Sequence, residues 1–500
     1  MSKFFTRNKV KKIILLVASG VLMSSIALPA FAAGNVRENT SPIVADYFEK
    51  VKANNTELIA FLHEMPKGGD LHSHASATIE AEAVLEYAAE QGFDFDRKAL
   101  TFVKKTPAEQ SDSAIYFTNA TLKSAVSANS TLGTSFREEV LSEILEAVSM
   151  RNYKQRAVSG HDHFFQYFFR TGDVTIPDPE IYRRLFTRAI KENIGYLELM
   201  TNMKTKADYD SVIKIKDDVI KSLNSTRKLD VNFIATINRN ADNAAFKASL
   251  DKAIALYDNP DTHTVGITIL SAEDDLLSQK NFIAQMKMLD EAYNYHLKTQ
   301  GTGINFHLHA GELTLDYSEY LALTDRISKS IDLGHAKIIG HGVSIAWNEQ
   351  VYELLKKMRD DKIGVTVCPS SSEAILGVSG GDTHPFKLYW NADVPVAIAT
   401  DDEGLSRSNL TNEYAKIAKW FNLEYGEIKW LAFNSIEMSF LKGKGIFKDK
   451  NFNLTADEFK AAKSLAISSG SAKGIKECEV YEEYLTFEKK MESYIYDFNW

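Results

Sequence analysis

Cysteine is nearly missing from these 500 residues: Cys368 and Cys478 are the pair, too few for a disulfide framework or a thiolate metal cluster. Any bound metal therefore has to rely on nitrogen and oxygen donors, and whether the two thiols pair is not readable from the chain. Proline is scarce at 10 residues, and with 44% hydrophobic against 25% charged residues the composition excludes a disordered chain and provides for a large buried core. A basic stripe is also lacking. Lysine and arginine are scattered and the formal net charge is -9, which excludes the electrostatic footprint of a nucleic-acid binder and leaves a small-molecule partner as the better fit. No His-Glu-x-x-His pair, phosphate-cradling glycine loop or Pro-Cys-x-x-Cys signature occurs, which sets aside zinc proteases, nucleotide kinases and the cytidine-deaminase plan.

What is present begins with a leader. Lys3, Arg7, Lys9, Lys11 and Lys12 precede an apolar run from Ile13 to Leu28, then Pro29 and Ala30-Phe31-Ala32-Ala33. A charged start, a short apolar stretch and small residues spaced Ala-x-Ala form a cleavable signal peptide over 1–33. An uncleaved anchor is the alternative, but the run is short for a membrane span. The expectation is a secreted or periplasmic protein beginning near Ala33 or Gly34, with no stable membrane anchor after cleavage.

From about residue 66, short β-rich runs alternate with longer helical stretches, as in βα units around a parallel sheet. Eight runs can be counted: Gly69 to His74, Ile194 to Thr201, Leu229 to Asn238, Thr264 to Ser271, Ile304 to Glu312, Lys337 to Gly342, Ile363 to Ser370 and Val394 to Asp402. Several are almost wholly apolar, which suits strands buried on both faces. The expected fold is α/β, a (β/α)8 TIM-type barrel over 65–500, with a helical N-terminal extension at 34–64 and an insertion at about 98–169 between strands 1 and 2. Ile43 to Phe61 reads as helical. Within the insertion, Thr118 to Ser135 reads as a surface excursion and Phe136 to Met150 as an amphipathic helix. Homodimer formation and covering the pocket are both open roles for the insertion.

The first strand ends Asp70-Leu71-His72-Ser73-His74. Alternate residues of a strand share a face, so His72 and His74 project together, as two ligands of one metal should. Alone, that pair is more often two surface or core histidines. Yet the fifth strand ends His307-Leu308-His309-Ala310-Gly311-Glu312, the sixth Gly340-His341-Gly342 and the eighth Thr400-Asp401-Asp402, in a chain with 12 histidines. In a parallel barrel all these ends open on one face.

These motifs resemble the adenosine deaminase family of metal-dependent hydrolases, and within it the exported adenosine deaminase-related growth factor branch. The resemblance rests on Met65-Pro66-Lys67-Gly68 before His72-x-His74, His309-Ala310-Gly311-Glu312, Ile339-Gly340-His341-Gly342, Cys368-Pro369-x-Ser371 and Thr400-Asp401-Asp402, in the family's order. Asn434-Ser435 and the early helical segment also look like that branch.

The resemblance implies a zinc ion, one per chain, held by His72, His74, His309 and Asp401, three neutral imidazoles and one carboxylate that leave room for a water. Such an ion can lower the pKa of its water to about 7. It further implies that Glu312 gives a proton to purine N1, that His341 steers the proton of the attacking water, and that Asp402 hydrogen-bonds N7 or places the water. The plainer readings are a histidine packing a glycine turn for His341 and a helix N-cap for Asp402. His307 reads as a histidine behind the ligands or in the core. His161 and His163 precede a very aromatic helix and read as packing or pocket-wall residues, and His384 as structural.

The chain departs from the family where substrate is bound. Ser76 and Ala77 stand where an acid and a glycine are usual, Thr268 and Ser271 where aspartate and glycine are, Ser372 for asparagine and Glu403 for proline. Ser76 and Ser271 remain candidate substrate contacts, and backbone near Ser271 can still reach the base. The implied reaction is hydrolytic deamination of adenosine or a related 6-aminopurine nucleoside to the 6-oxo product and ammonia. The alternatives are a deaminase of a modified adenine derivative or other aminated heterocycle, and a non-catalytic binding or signalling protein.

Overall fold

The computed structural model describes residues 40–104, 115–447 and 454–500, so the expected leader lies outside the described residues. Eight parallel strands carry the fold. They are β1 (Gly69–His74), β2 (Tyr196–Met200), β3 (Asp230–Asn238), β4 (Thr264–Leu270), β5 (Phe306–Ala310), β6 (Ala336–His341), β7 (Gly364–Val367) and β8 (Val396–Ile398). Each pairs with the next in chain order. A bridge between Ser73 and Asp401 joins the end of β8 to β1, where Asp401 N donates to His72 O at 2.8 Å and His74 N to Asp401 O at 3.3 Å. The protein is thus the α/β barrel that the eight runs imply.

Burial explains the apolar runs: every residue of β1, β2, β5, β7 and β8 is buried, because helices cover the sheet outside and side chains fill it within. Each fully buried Val, Leu or Ile contributes about 1.5–3 kcal/mol. Among the described residues no helix is long and apolar enough to cross a membrane.

Two segments differ in detail from the sequence expectation. The stretch at 43–61 is two helices, Pro42–Val51 and Asn55–Glu64, because the Asn54 side chain accepts from Thr56 N at 2.9 Å and caps a new helix. The insertion opens with an antiparallel sheet of Asp94–Asp96, Thr101–Val103 and Tyr116–Phe117. Helices Asn119–Val126, Thr134–Ala147 and Gly160–Thr171 follow, so the Ser- and Thr-rich excursion contains a helix that buries Leu122 and Ala125. Cys368 and Cys478 are both buried and free.

Candidate metal centre and substrate cavity

Strand pleat sets the first two histidines. His72 and His74 lie on one face of β1, and His309 comes from the end of β5. His72 Nε2 lies 2.9 Å and His74 Nε2 3.2 Å from His309 Nε2. Asp401 Oδ1 lies 3.2 Å from His74 Nε2 and 3.6 Å from His72 Nε2. Donors that share one ion at about 2 Å each stand no more than about 4 Å apart, and all four separations meet that limit. His341 also lies within 4.8 Å of His72, His309 and Asp401, with its Nδ1 3.6 Å from Glu312 Oε1; His74, at 3.2 Å from both His309 Nε2 and Asp401 Oδ1, is the closer fourth donor.

The donors suit a cation for a second reason. His72 Nδ1 lies 3.0 Å from Thr366 Oγ1, and His309 Nδ1 3.0 Å from Thr268 Oγ1. The threonine hydroxyls face the Ile339 and Ile269 carbonyls, so each is free to accept from an Nδ1–H. The Nε2 lone pairs of His72 and His309 then point at each other at 2.9 Å, an arrangement that calls for positive charge between them.

The backbone is bent to present these groups. His341 has φ +66°, Asp401 φ +59° and Ser271 φ +85°, left-handed conformations that cost a non-glycine residue of order 1–3 kcal/mol and cluster at functional sites. Gly340 leaves space for His72, whose Cε1 would lie 2.9 Å from a Cβ added there. Asp70 ties the two joining strands together, accepting from Thr400 Oγ1 at 2.6 Å and His72 N at 3.2 Å.

Burial lowers the pKa of His72 and His309 well below the ordinary imidazole range, and the neighbouring histidines add to it. His74 differs. Burial disfavours its charged form, but Asp402 and Asp401 outweigh that and raise it. Asp401 is pushed up by burial and pulled down further by the His74 hydrogen bond and the surrounding imidazoles, ending below the usual carboxylate range. Burial and the Asp401 charge push Asp402 up to about 7. Glu312 is raised well above its usual range by burial, then by Asp401 and Glu273, against the opposing Arg239.

A cavity of about 590 Å³ opens over these residues, lined by His74, His309, Glu312, His341, Asp401 and Asp402. Ser76 and Ser271 also line it, with Asn238, Asn240 and Asp275. Phe164, Phe165 and Phe168 of the Gly160–Thr171 helix form an aromatic wall. The insertion therefore borders the pocket.

The remaining residues fall into place around it. His307 is buried, with Nε2 3.0 Å from Thr366 Oγ1, and burial pushes its pKa down to about 3. His163 Nε2 lies 2.9 Å from Ser149 O inside the insertion. His161 instead faces Asp274 at 3.2 Å and stacks on Tyr317. Glu403 pairs with Arg188 at 2.7 Å, and Ser372 and Ala77 are buried. Sequence reasoning missed the partners of the histidines, Thr268 and Thr366. Their signal was a hydroxyl within the otherwise apolar strands β4 and β7.

The adenosine deaminase family profile matches residues 131–448, more than half of the chain, and the chain belongs to that family. The matched span holds His309, Glu312, His341, Asp401 and Asp402 and stops short of β1. The adenosine deaminase of Clostridium acetobutylicum is 33% identical over 138 residues, 28% of this chain and 38% of that protein. The aminodeoxyfutalosine deaminase of Streptomyces avermitilis is 36% identical over 151 residues, 30% and 39%. The matched stretch thus spans about two fifths of these relatives' length. The adenosine deaminase of Clostridium kluyveri is 27% identical over 281 residues, 54% of this chain and 73% of that protein. Among solved structures, the Arabidopsis N6-mAMP deaminase aligns with a TM-score of 0.51 at 19% identity, over 77% of this chain and 96% of its own. The adenine deaminase of Arthrobacter aurescens aligns with 0.51 at 16%, over 84% and 99%. These two likenesses concern the fold.

Proposed function

We propose that this protein is a zinc-dependent hydrolytic deaminase of the exported growth-factor-like branch, converting adenosine or a related 6-aminopurine nucleoside to its 6-oxo product and ammonia. The observation that carries the reading is the meeting of three imidazole nitrogens and the Asp401 carboxylate, at 2.9–3.6 Å, with Glu312 on the wall of the same cavity.

His72, His74, His309 and Asp401 would hold the ion. When bound, a divalent cation there makes a water acidic enough to attack carbon at neutral pH. The chain's own residues supply the rest. Glu312, kept neutral by its buried and acidic surroundings, gives its proton to purine N1 and makes C6 electrophilic. His341 Nδ1 has no hydrogen-bond partner among the described residues, and the imidazole takes and steers the proton of the attacking water. Asp402 hydrogen-bonds N7 or places the attacking water. Water adds at C6, the proton taken by His341 passes to N6, the C6–N6 bond breaks and ammonia leaves, and the remaining hydroxyl proton returns to Glu312 as the 6-oxo purine forms.

No lysine or arginine lines the described cavity, though Lys204 lines the one adjoining it, which supports a nucleoside seated within the first cavity over a nucleotide, whose phosphate calls for cationic donors. A second reading, an adenine derivative enlarged on its sugar side, draws on an adjoining cavity of about 510 Å³ that shares His74, Ser76 and Leu270 with the first.

Purified metal-loaded protein, incubated with adenine, adenosine, 5′-AMP and sugar-extended adenosines while ammonia is measured, tests both readings. Adenosine is expected to outpace 5′-AMP, and silence on every compound would reject deamination. Glu312→Gln should abolish turnover and leave the metal in place. Elemental analysis tests for zinc. Export rests on the leader and is checked by sequencing the N-terminus of protein recovered outside the cytoplasm, expected near Ala33 or Gly34.

A further inference from the structure

Behind the cavity, three buried charged residues converge on the main chain that carries Glu312. Glu273, in the loop after β4, is 2% exposed. Its Oε1 accepts from Gly311 N at 3.0 Å and its Oε2 from Glu312 N at 2.7 Å. Arg239 Nη1 at 3.4 Å and Arg326 Nε at 3.5 Å flank Oε1. Both arginines are themselves fixed. Arg239, 1% exposed, donates through Nη2 to His309 O at 2.6 Å and to Ile269 O at 3.2 Å, and its own carbonyl accepts from Gln285 Nε2 at 2.8 Å. The Arg326 guanidinium lies 4.0 Å from the Phe282 ring centroid.

The His309-to-Glu312 turn is therefore gripped at His309 O, Gly311 N and Glu312 N, and again where Ser344 N donates to Gly311 O at 2.9 Å. Gly311 sits at φ +78°, and a Cβ there would lie 2.8 Å from Ser344 Oγ. With the main chain of Glu312 held, only its side-chain torsions remain to place the carboxyl, 3.4 Å from Ser371 Oγ and 3.6 Å from His341 Nδ1.

Resting on the deaminase reading above, we propose that Glu273, braced by Arg239 and Arg326, is a positioning residue: it sets the main chain of Glu312 so that the carboxyl meets the substrate ring. A proton donor misplaced by about 1 Å loses rate without losing substrate. Such a residue acts on kcat, while one that only stabilises the fold acts on melting temperature.

Two variants separate charge from reach. Glu273→Asp keeps the negative charge between the arginines and withdraws the carboxylate by one methylene. Glu273→Gln keeps the length and replaces one acceptor with a donor facing a main-chain N–H. Metal content, kcat and KM are measured alongside amide hydrogen exchange of residues 309–312, a readout that needs no turnover. The expected result is full metal occupancy, kcat lower by roughly 10- to 100-fold, KM within about threefold, and exchange at Gly311 and Glu312 faster by at least about tenfold. If Glu273→Gln fails to fold, Glu273→Asp carries the test. A Glu273→Asp protein with wild-type kcat and unchanged exchange, whatever its melting temperature, overturns the proposal. Should the wild type release no ammonia from any compound, the deaminase reading fails, and the exchange measurement alone decides whether Glu273 holds the turn.

Discussion

The mouth of the barrel is bounded by two regions that place their side chains in different ways. At the strand ends, backbone geometry does the placing: the pleat puts His72 and His74 on one face, and the β8-to-β1 bridge sets Asp401 beside them. The insertion has no such frame. It folds around its own apolar cluster, with Phe95, Phe102, Phe117, Val140 and Ile144, and reaches the cavity through one helix bearing Phe164, Phe165 and Phe168. That cluster also takes in Val343, Ile375 and Leu405, from the segments that follow β6, β7 and β8, so the wall is packed onto the loops it covers. On the proposed function, metal and proton chemistry belong to one region and the shape of the pocket to the other, and substitutions should separate them.

The largest expected effect lies on the strand ends. Asp401→Asn should lose most of the metal and lower kcat/KM by about 10³-fold or more, since an ion of this kind supplies several kcal/mol of charge stabilisation. Elemental analysis and ammonia release measure the two together, and a variant that kept both would remove Asp401 from the centre. Next comes Thr268→Val, nearly isosteric, which deletes the hydroxyl 3.0 Å from His309 Nδ1. Metal affinity, read by chelator competition, should fall roughly 10- to 100-fold. On the insertion, Phe165→Ala should leave metal content and kcat near wild type and raise KM by about 3- to 10-fold, the worth of an aromatic face. Metal loss in this variant would show that the two regions are not separable.

The same contrast explains what was legible in the sequence. The eight barrel strands were visible, several as apolar runs because both faces are buried, and β1 instead through the alternation of Asp70, His72 and His74. Their ends were less so: β5 stops at Ala310 and β8 at Ile398, short of Glu312 and Asp402, because the chain leaves the ladder to present side chains, with Gly311 and Asp401 at positive φ. Thr268 showed as a departure from the family, but its bond to His309 depends on a contact between β4 and β5 that no single segment displays. The insertion sheet uses strands of two and three residues, too short for alternation to register. Glu273 carried no local signal, since its partners are main-chain N–H groups 38 and 39 positions away.

The smallest effect joins the two regions. His161, on the aromatic helix, faces Asp274 at 3.2 Å and Asp162 at 3.1 Å and stacks on Tyr317 with ring centroids 4.5 Å apart. Burial disfavours its charged form, but the two aspartates outweigh that and raise its pKa above 6.5. A histidine raised on folding contributes stability that is fully present below its unfolded value and is lost as pH rises through the raised value. The tie between helix and barrel loop should therefore hold below the ordinary imidazole value and loosen as pH rises through the raised value. Amide exchange of residues 160–171 is expected to quicken across that interval in the wild type, with a modest rise in KM, while His161→Gln, which cannot titrate, shows neither pH trend. A wild-type helix whose exchange follows only the intrinsic chemical dependence on pH would mean that His161 does not tie the wall to the barrel.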